Sequence, residues 1–132
     1  MKVRWRQGSL RLRIGPHELA SLVRGDPVRE VLVFPGGASW AITIRPETTS
    51  TDIVLCGNDA VLTISTGDLA SLASSEAEGV YFEGGSSDAK LAYFIEKDFP
   101  CLHPRPPGAA EPADAPGQTF AAPAEFAARH GK

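Results

Sequence analysis

The 132-residue sequence predicts an α+β domain made of an internally duplicated ββαββ unit. About eight mostly antiparallel strands are expected in one strongly curved or barrel-like sheet, with two short helices. Three observations lead there. A segment recurs at an offset of fifty residues, short stretches alternate apolar and polar residues around turn residues, and two brief apolar-faced segments open with helix-start chemistry.

The repeat is the first of these. Leu12-Arg13-Ile14-Gly15-Pro16-His17-Glu18-Leu19-Ala20-Ser21-Leu22 returns as Leu62-Thr63-Ile64-Ser65-Thr66-Gly67-Asp68-Leu69-Ala70-Ser71-Leu72. Leu, Ile and the whole Leu-Ala-Ser-Leu string keep their places, and Glu18 becomes Asp68. The repeats span about residues 1–46 and 51–98.

Each copy begins with a hairpin. Residues 2–7 and 10–14 alternate with the period of two expected of half-buried strands. Gly8-Ser9 between them suits a tight turn. In the second copy, residues 52–56 and 60–64 flank Gly57-Asn58-Asp59, again turn chemistry. A helix follows in each. Gly15 caps the first and Pro16 occupies its first turn, where a missing N–H costs nothing. Ser65 caps the second with Asp68 three positions on, a variant of the capping box. Leu19, Leu22 and Val23 face one way on the first helix, and Leu69, Leu72 and Ala73 on the second. A further hairpin closes each copy: residues 28–34 and 39–45 around Pro35-Gly36-Gly37, then 79–83 and 90–97 around a Gly-Gly-Ser-Ser-Asp turn. Closing the sheet into a barrel is expected because closure removes exposed edges.

Residues 1–103 form the expected single domain. Residues 104–132 are a Pro/Ala/Gly mixture without periodicity, which buries too little apolar surface to offset its ordering entropy, so a disordered tail is expected. Within it, residues 124–130 are a candidate partner-binding helix around Phe126.

The net charge of −3 hides an asymmetry. Residues 1–46 hold eight Lys and Arg against three carboxylates, a balance of +5, and residues 47–132 hold five against thirteen, a balance of −8. The acidic total weighs against a nucleic-acid partner. No stretch approaches the roughly 20 apolar residues of a membrane span. Met1-Lys2-Val3-Arg4-Trp5-Arg6 has no apolar export region. Cys56 and Cys101 are too few for a disulfide framework, so two reduced thiols in a cytoplasmic protein are expected.

Chemistry-bearing residues concentrate on the first hairpin. Lys2, Arg4 and Arg6 face one way on strand one, and Arg11 and Arg13 share a face of strand two. The hairpin therefore gathers five cations as a candidate anion site for phosphates or carboxylates. A solvated outer face explains the same pattern and is the more common reason for it. No metal set is expected: His17, His103 and His130 lie off the strands, and no pair of C-x-x-C motifs exists. No G-x-S-x-G elbow or phosphate loop appears, and Cys101 near His103 makes no activated pair by its spacing alone. No cofactor and no catalytic residue is assigned.

Cut at its second strand, the string reads βαβββ and then βαββ, which is similar to the halves of two known architectures. One is the wide eight-stranded barrel of the triphosphate-tunnel hydrolases, the other the paired curved sheet of the vicinal-oxygen-chelate proteins. The first family places alternating Glu residues on its first strand to hold metal; here that strand is Lys2-Val3-Arg4-Trp5-Arg6, and only Glu83 and Glu96 lie on late strands. The second needs His and Glu ligands on strands of both halves. The departures leave anion binding and remove support for catalysis.

The segment Glu96-Lys97-Asp98-Phe99-Pro100-Cys101-Leu102 runs from a strand into a charged triplet and an apolar knot, in which Phe99 and Leu102 are expected to close the core's open end. Together with Met1-Lys2-Val3-Arg4 and Gly8-Ser9-Leu10-Arg11-Leu12-Arg13, it resembles a small bacterial protein family, a domain of unknown function. The Glu-Lys-Asp-Phe-x-Cys-Leu ending is the most specific part, and Gln118-Thr119-Phe120-Ala121-Ala122-Pro123 is similar to a weaker terminal motif. The resemblance implies a soluble bacterial protein and brings no activity. Glu96, Lys97, Asp98, Phe99 and Cys101 are thus motif residues without an assigned role. The expected function is a non-catalytic binding or interaction module for a small anionic ligand or protein partner, with homo-oligomerisation left open. The alternative is a phosphate- or polyanion-directed hydrolase of triphosphate-tunnel-like architecture.

Overall fold

A computed structural model describes residues 1–86, 88–100 and 117–122. Among them are eight strands and two helices. The order is β1 (Lys2–Arg6), β2 (Ser9–Ile14), α1 (Pro16–Val23), β3 (Val28–Val33), β4 (Ser39–Glu47), β5 (Asp52–Cys56), β6 (Asp59–Ser65), α2 (Thr66–Ala73), β7 (Gly79–Ser86) and β8 (Ala89–Lys97). None of the described helices is long and apolar enough to cross a membrane.

The expected single curved or barrel-like sheet does not form. The strands divide into two four-stranded mixed sheets, β1-β2-β8-β7 and β3-β4-β6-β5, here called sheets A and B. The cause is two parallel pairings. β2 lies parallel to β8, with Leu12 beside Ile95, and β4 lies parallel to β6, with Ile44 beside Leu62. Each sheet therefore takes one hairpin from each half of the chain, and the edges β1, β7, β3 and β5 stay open rather than meeting in a closed ring.

The two sheets correspond pairing for pairing. Val3 opposite Leu12 in sheet A matches Ile53 opposite Leu62 in sheet B. Leu12 beside Ile95 matches Leu62 beside Ile44, and Val28 opposite Ile44 matches Val80 opposite Ile95. The hairpin loops are reduced to Gln7-Gly8 and Gly57-Asn58, with Gly8 at φ 79° and Gly57 at φ 61°, a region that a side chain disfavours.

The correspondence extends to the helix starts. Glu18 accepts the backbone N–H of Gly15 at 2.9 Å, and its other oxygen takes the Met1 amine. At the matching places, Ser65 Oγ accepts the Asp68 N–H at 3.1 Å, and the Asp68 carboxylate takes the Thr51 hydroxyl. The two helix starts are capped by different residues on one plan, satisfying N–H groups that a helix start leaves unpaired.

One core lies between the sheets. Leu12, Ile14, Leu22, Ile42, Ile44, Leu62, Ile64, Leu72 and Ile95 are fully buried in it. Both helices follow the C-terminal ends of β2 and β6, so they cover the core at one end of the molecule. The hairpin turns lie at the other end, where Trp5 and Trp40 meet edge to face with ring centres 5.3 Å apart.

Six residues of the segment expected to be a solvated tail carry packed structure. The Phe120 N–H donates to the Asp98 carbonyl at 2.8 Å, and the Phe120 ring packs on the core and lies 6.1 Å from that of Phe99. Gly15 lies directly beneath the Gln118 carbonyl. Residues 104–116 and 123–132, with His103, the candidate helix at 124–130 and Leu102, lie outside the described residues.

Candidate anion-binding face

Alternation along β1 and β2 places Lys2, Arg4, Arg6, Arg11 and Arg13 on one face of sheet A, because successive strand residues point to opposite sides. The hairpin register sets Lys2 opposite Arg13, Arg4 opposite Arg11 and Arg6 opposite Ser9. Like charges directly opposite one another are unfavourable. β8 relieves part of this. Laid parallel beside β2, it sets Phe94 next to Arg11 and Glu96 next to Arg13.

The geometry follows from that register. Glu96 lies between the two arginines, with Oε1 3.3 Å from Arg11 Nε and Oε2 3.8 Å from Arg13 Nε. The Arg11 guanidinium lies over the Phe94 ring at 5.6 Å, a cation–π contact. The Tyr81 ring flanks Phe94 at 5.4 Å, and burial, then Glu96 and Glu78, hold its hydroxyl above the usual tyrosine pKa, in the neutral form. Lys2 turns away to Asp98 at 2.7 Å.

Arg4 and Arg6 are left over. Neither is joined by an ion pair to a described residue, and both are exposed. Arg11 Nε is shielded from solvent and makes no hydrogen bond with a described residue, the approach to Glu96 being an ion pair only. These three arginines, with Ser9 and Phe94, line an open hollow of about 160 Å³. Its donors are planar guanidinium groups, the side chain that matches phosphate and carboxylate geometry.

Sheet B shows that the fold itself does not demand this charge. Its register sets Val54 opposite Val61 where sheet A has Arg4 opposite Arg11, and Cys56 opposite Asp59 where sheet A has Arg6 opposite Ser9. Thr43 stands where Phe94 stands. Asp59 is engaged locally, accepting the Thr43 hydroxyl at 3.1 Å and pairing with Arg29 at 3.6 Å. The same structural positions are thus cationic on one sheet and mostly uncharged on the other.

The motif residues have a structural part. Lys97 is buried, donates from Nζ to the Ser74 carbonyl at 2.6 Å and lies 5.6 Å from the Phe120 ring centre. Desolvation lowers its pKa below that of a free lysine. Asp98 is buried too. Its N–H donates to the Ile14 carbonyl at 2.9 Å, its carbonyl holds Phe120, and its carboxylate holds Lys2. The Lys97-Asp98-Phe99 run therefore ties β2, the end of α2 and residues 117–122 together. Of the described motif residues, Glu96 pairs with the arginines of the cationic face and Asp98 with Lys2, and Cys101 lies outside the described residues.

A second hollow, of about 490 Å³, opens at the helix end between Lys2, Arg13, His17, Glu18, Glu30 and Asp98. Its charges are largely paired within it: Glu18 and Glu30 both take the Met1 amine, and Asp98 takes Lys2. Cys56 is an exposed free thiol, and Glu83 pairs with Lys90 at 3.5 Å. Among the described residues, no three His, Cys, Asp or Glu side chains are placed to hold a metal ion.

Phe94 and Tyr81 are site residues that alternation along single strands does not reveal. They join the arginines only through the parallel β2–β8 pairing, which no local signal announces.

Fold and face together define a two-sheet α+β domain with a cationic outer surface on one sheet. The chain belongs to a family of unknown function (DUF7009), whose model matches residues 1–116. No curated protein matches the chain, and no solved structure does.

Proposed function

We propose that this chain is a non-catalytic binding module that takes an anionic group, of a small ligand or a protein partner, on the outer face of sheet A. One observation carries the reading. Arg4, Arg6 and Arg11 line a common hollow with Arg4 and Arg6 unpaired among the described residues, while the matching positions on sheet B are Val54, Cys56 and Val61. A surface that needed only solubility would not require the like-charge repulsion that sheet A tolerates.

Tripolyphosphate binding followed by calorimetry tests it. Affinity is expected to fall as salt rises, since exposed charges are screened. Arg4→Ala combined with Arg11→Ala is expected to weaken binding at least tenfold. Absence of binding, or full affinity in the double variant, overturns the reading. Turnover of tripolyphosphate with magnesium or manganese is expected at background. Metal-dependent turnover lost in Glu83→Gln or Glu96→Gln would establish the hydrolase alternative, which the open sheets do not favour.

We also read the chain as an internal duplication of repeats at about 1–46 and 51–98, supported by the matched registers and helix starts. A bacterial, cytoplasmic setting remains part of the same proposal, supported by the resemblance and by the exposed unpaired Cys56.

A further inference from the structure

Among the described residues, the hairpin end of the core is open. Trp5 is on the core-facing side of β1 and Leu55 on that of β5, beside buried Leu10 and Ala60 respectively, yet they are 62% and 70% exposed. The two helices cover the opposite end, and no described helix covers this one. Between the sheets here lies a cleft of about 290 Å³ walled by Trp5, Leu10, Ile53, Leu55, Ala60 and Leu91. On the far side of Trp5 a second apolar hollow, about 410 Å³, is bounded by Phe34 and Trp40.

Two residues join this apolar space to the cationic one. Arg6 and Ser9 line the 290 Å³ cleft and also the 160 Å³ hollow that Arg4 and Arg11 complete. The apolar cleft and the arginine hollow thus adjoin at Arg6 and Ser9. Apolar surface left exposed in this way marks a binding site, and a few well-placed polar groups at its rim set orientation. Of the hairpin loops at this end, β1–β2 and β5–β6 carry the polar Gln7 and Asn58, and β3–β4 carries the exposed Phe34.

From this juxtaposition we infer that the chain binds a small amphiphilic anion, its apolar body between the sheets beside Trp5 and its phosphate or carboxylate on Arg6, Arg4 and Arg11. The inference rests on the anion-binding reading above and adds the ligand's second half.

The test compares decyl phosphate, below its micellar concentration, with ethyl phosphate, decanol and tripolyphosphate on the full chain. Each methylene buried is expected to tighten binding by about fourfold, so decyl phosphate should bind at least thirtyfold tighter than ethyl phosphate and change the tryptophan emission. Leu55→Asn, at an exposed wall position, should abolish the chain-length gain and spare tripolyphosphate binding, with an unchanged amide spectrum as the check that the fold is kept. Arg6→Ala should weaken both alkyl phosphates. Equal binding of decyl and ethyl phosphate, with tripolyphosphate still bound, overturns this inference and leaves the anion-binding reading standing. Decanol binding as well as decyl phosphate, with no effect of Arg6→Ala, also overturns it. If tripolyphosphate and both alkyl phosphates fail to bind, the anion-binding reading falls, and this inference with it.

Discussion

Arg11 and Lys97 are both cations in partly desolvated places, and their neighbours differ in kind. Arg11 has a carboxylate and an aromatic ring beside it. Lys97 has a carbonyl and the Phe120 ring but no carboxylate among its identified contacts, and desolvation wins. A lysine whose folded pKa is lowered binds its proton less well folded than unfolded. Stability therefore rises with pH between the depressed value and that of a free lysine. The melting midpoint of the wild type relative to Lys97→Met is expected to climb as pH is raised through that window. A flat difference would show that Lys97 keeps an ordinary pKa. In an NMR titration Lys97 should lose its proton below the pH at which a free lysine does. The five cations themselves were legible in the sequence, because strand alternation is a local property of residues 2–6 and 10–14. That Arg11 meets Phe94 was not, since the contact depends on a strand from the far end of the domain.

At the scale of elements, turn chemistry and helix starts are also local, and residues such as Gly57-Asn58, Gly15-Pro16 and Ser65 mark them in the sequence. Strand neighbours are not. Alternation shows which face of β2 is buried, but Leu10, Leu12 and Ile14 pack equally well beside any apolar strand, so the parallel β2–β8 pairing leaves no local trace. The same limit hid the packing of residues 117–122, whose Pro- and Ala-rich surroundings read as solvated. Gly15→Ala tests that packing, because a methyl there meets the Gln118 carbonyl. The Phe120 amide, held by the Asp98 carbonyl, is expected to exchange much faster in this variant. Unchanged protection would show that the segment is not seated on Gly15. In the core, Leu12→Ala and Leu62→Ala each remove a fully buried side chain at matching positions. Each is expected to cost about 2–5 kcal/mol in chemical denaturation.

For the whole molecule, the interleaving of hairpins has a consequence for cooperativity. Sheet A needs β7 and β8 from the second half, and sheet B needs β3 and β4 from the first. Neither half holds a complete sheet, so a fragment of residues 1–49 is expected to be unfolded alone and to fold on mixing with residues 50–132, as seen in the amide spectrum. A dispersed spectrum from either fragment alone would contradict the interleaved topology. The same topology gives the molecule two structurally matched outer faces with different chemistry, and function is read from that difference. The most direct test is an amide-resolved NMR titration with tripolyphosphate at low salt. Shifts are expected at Arg4, Arg6, Ser9, Arg11 and Phe94 and not at the matching Val54, Cys56, Asp59, Val61 and Thr43, and they should fade as salt is added. Equal shifts on both faces, or none on sheet A, would contradict the account.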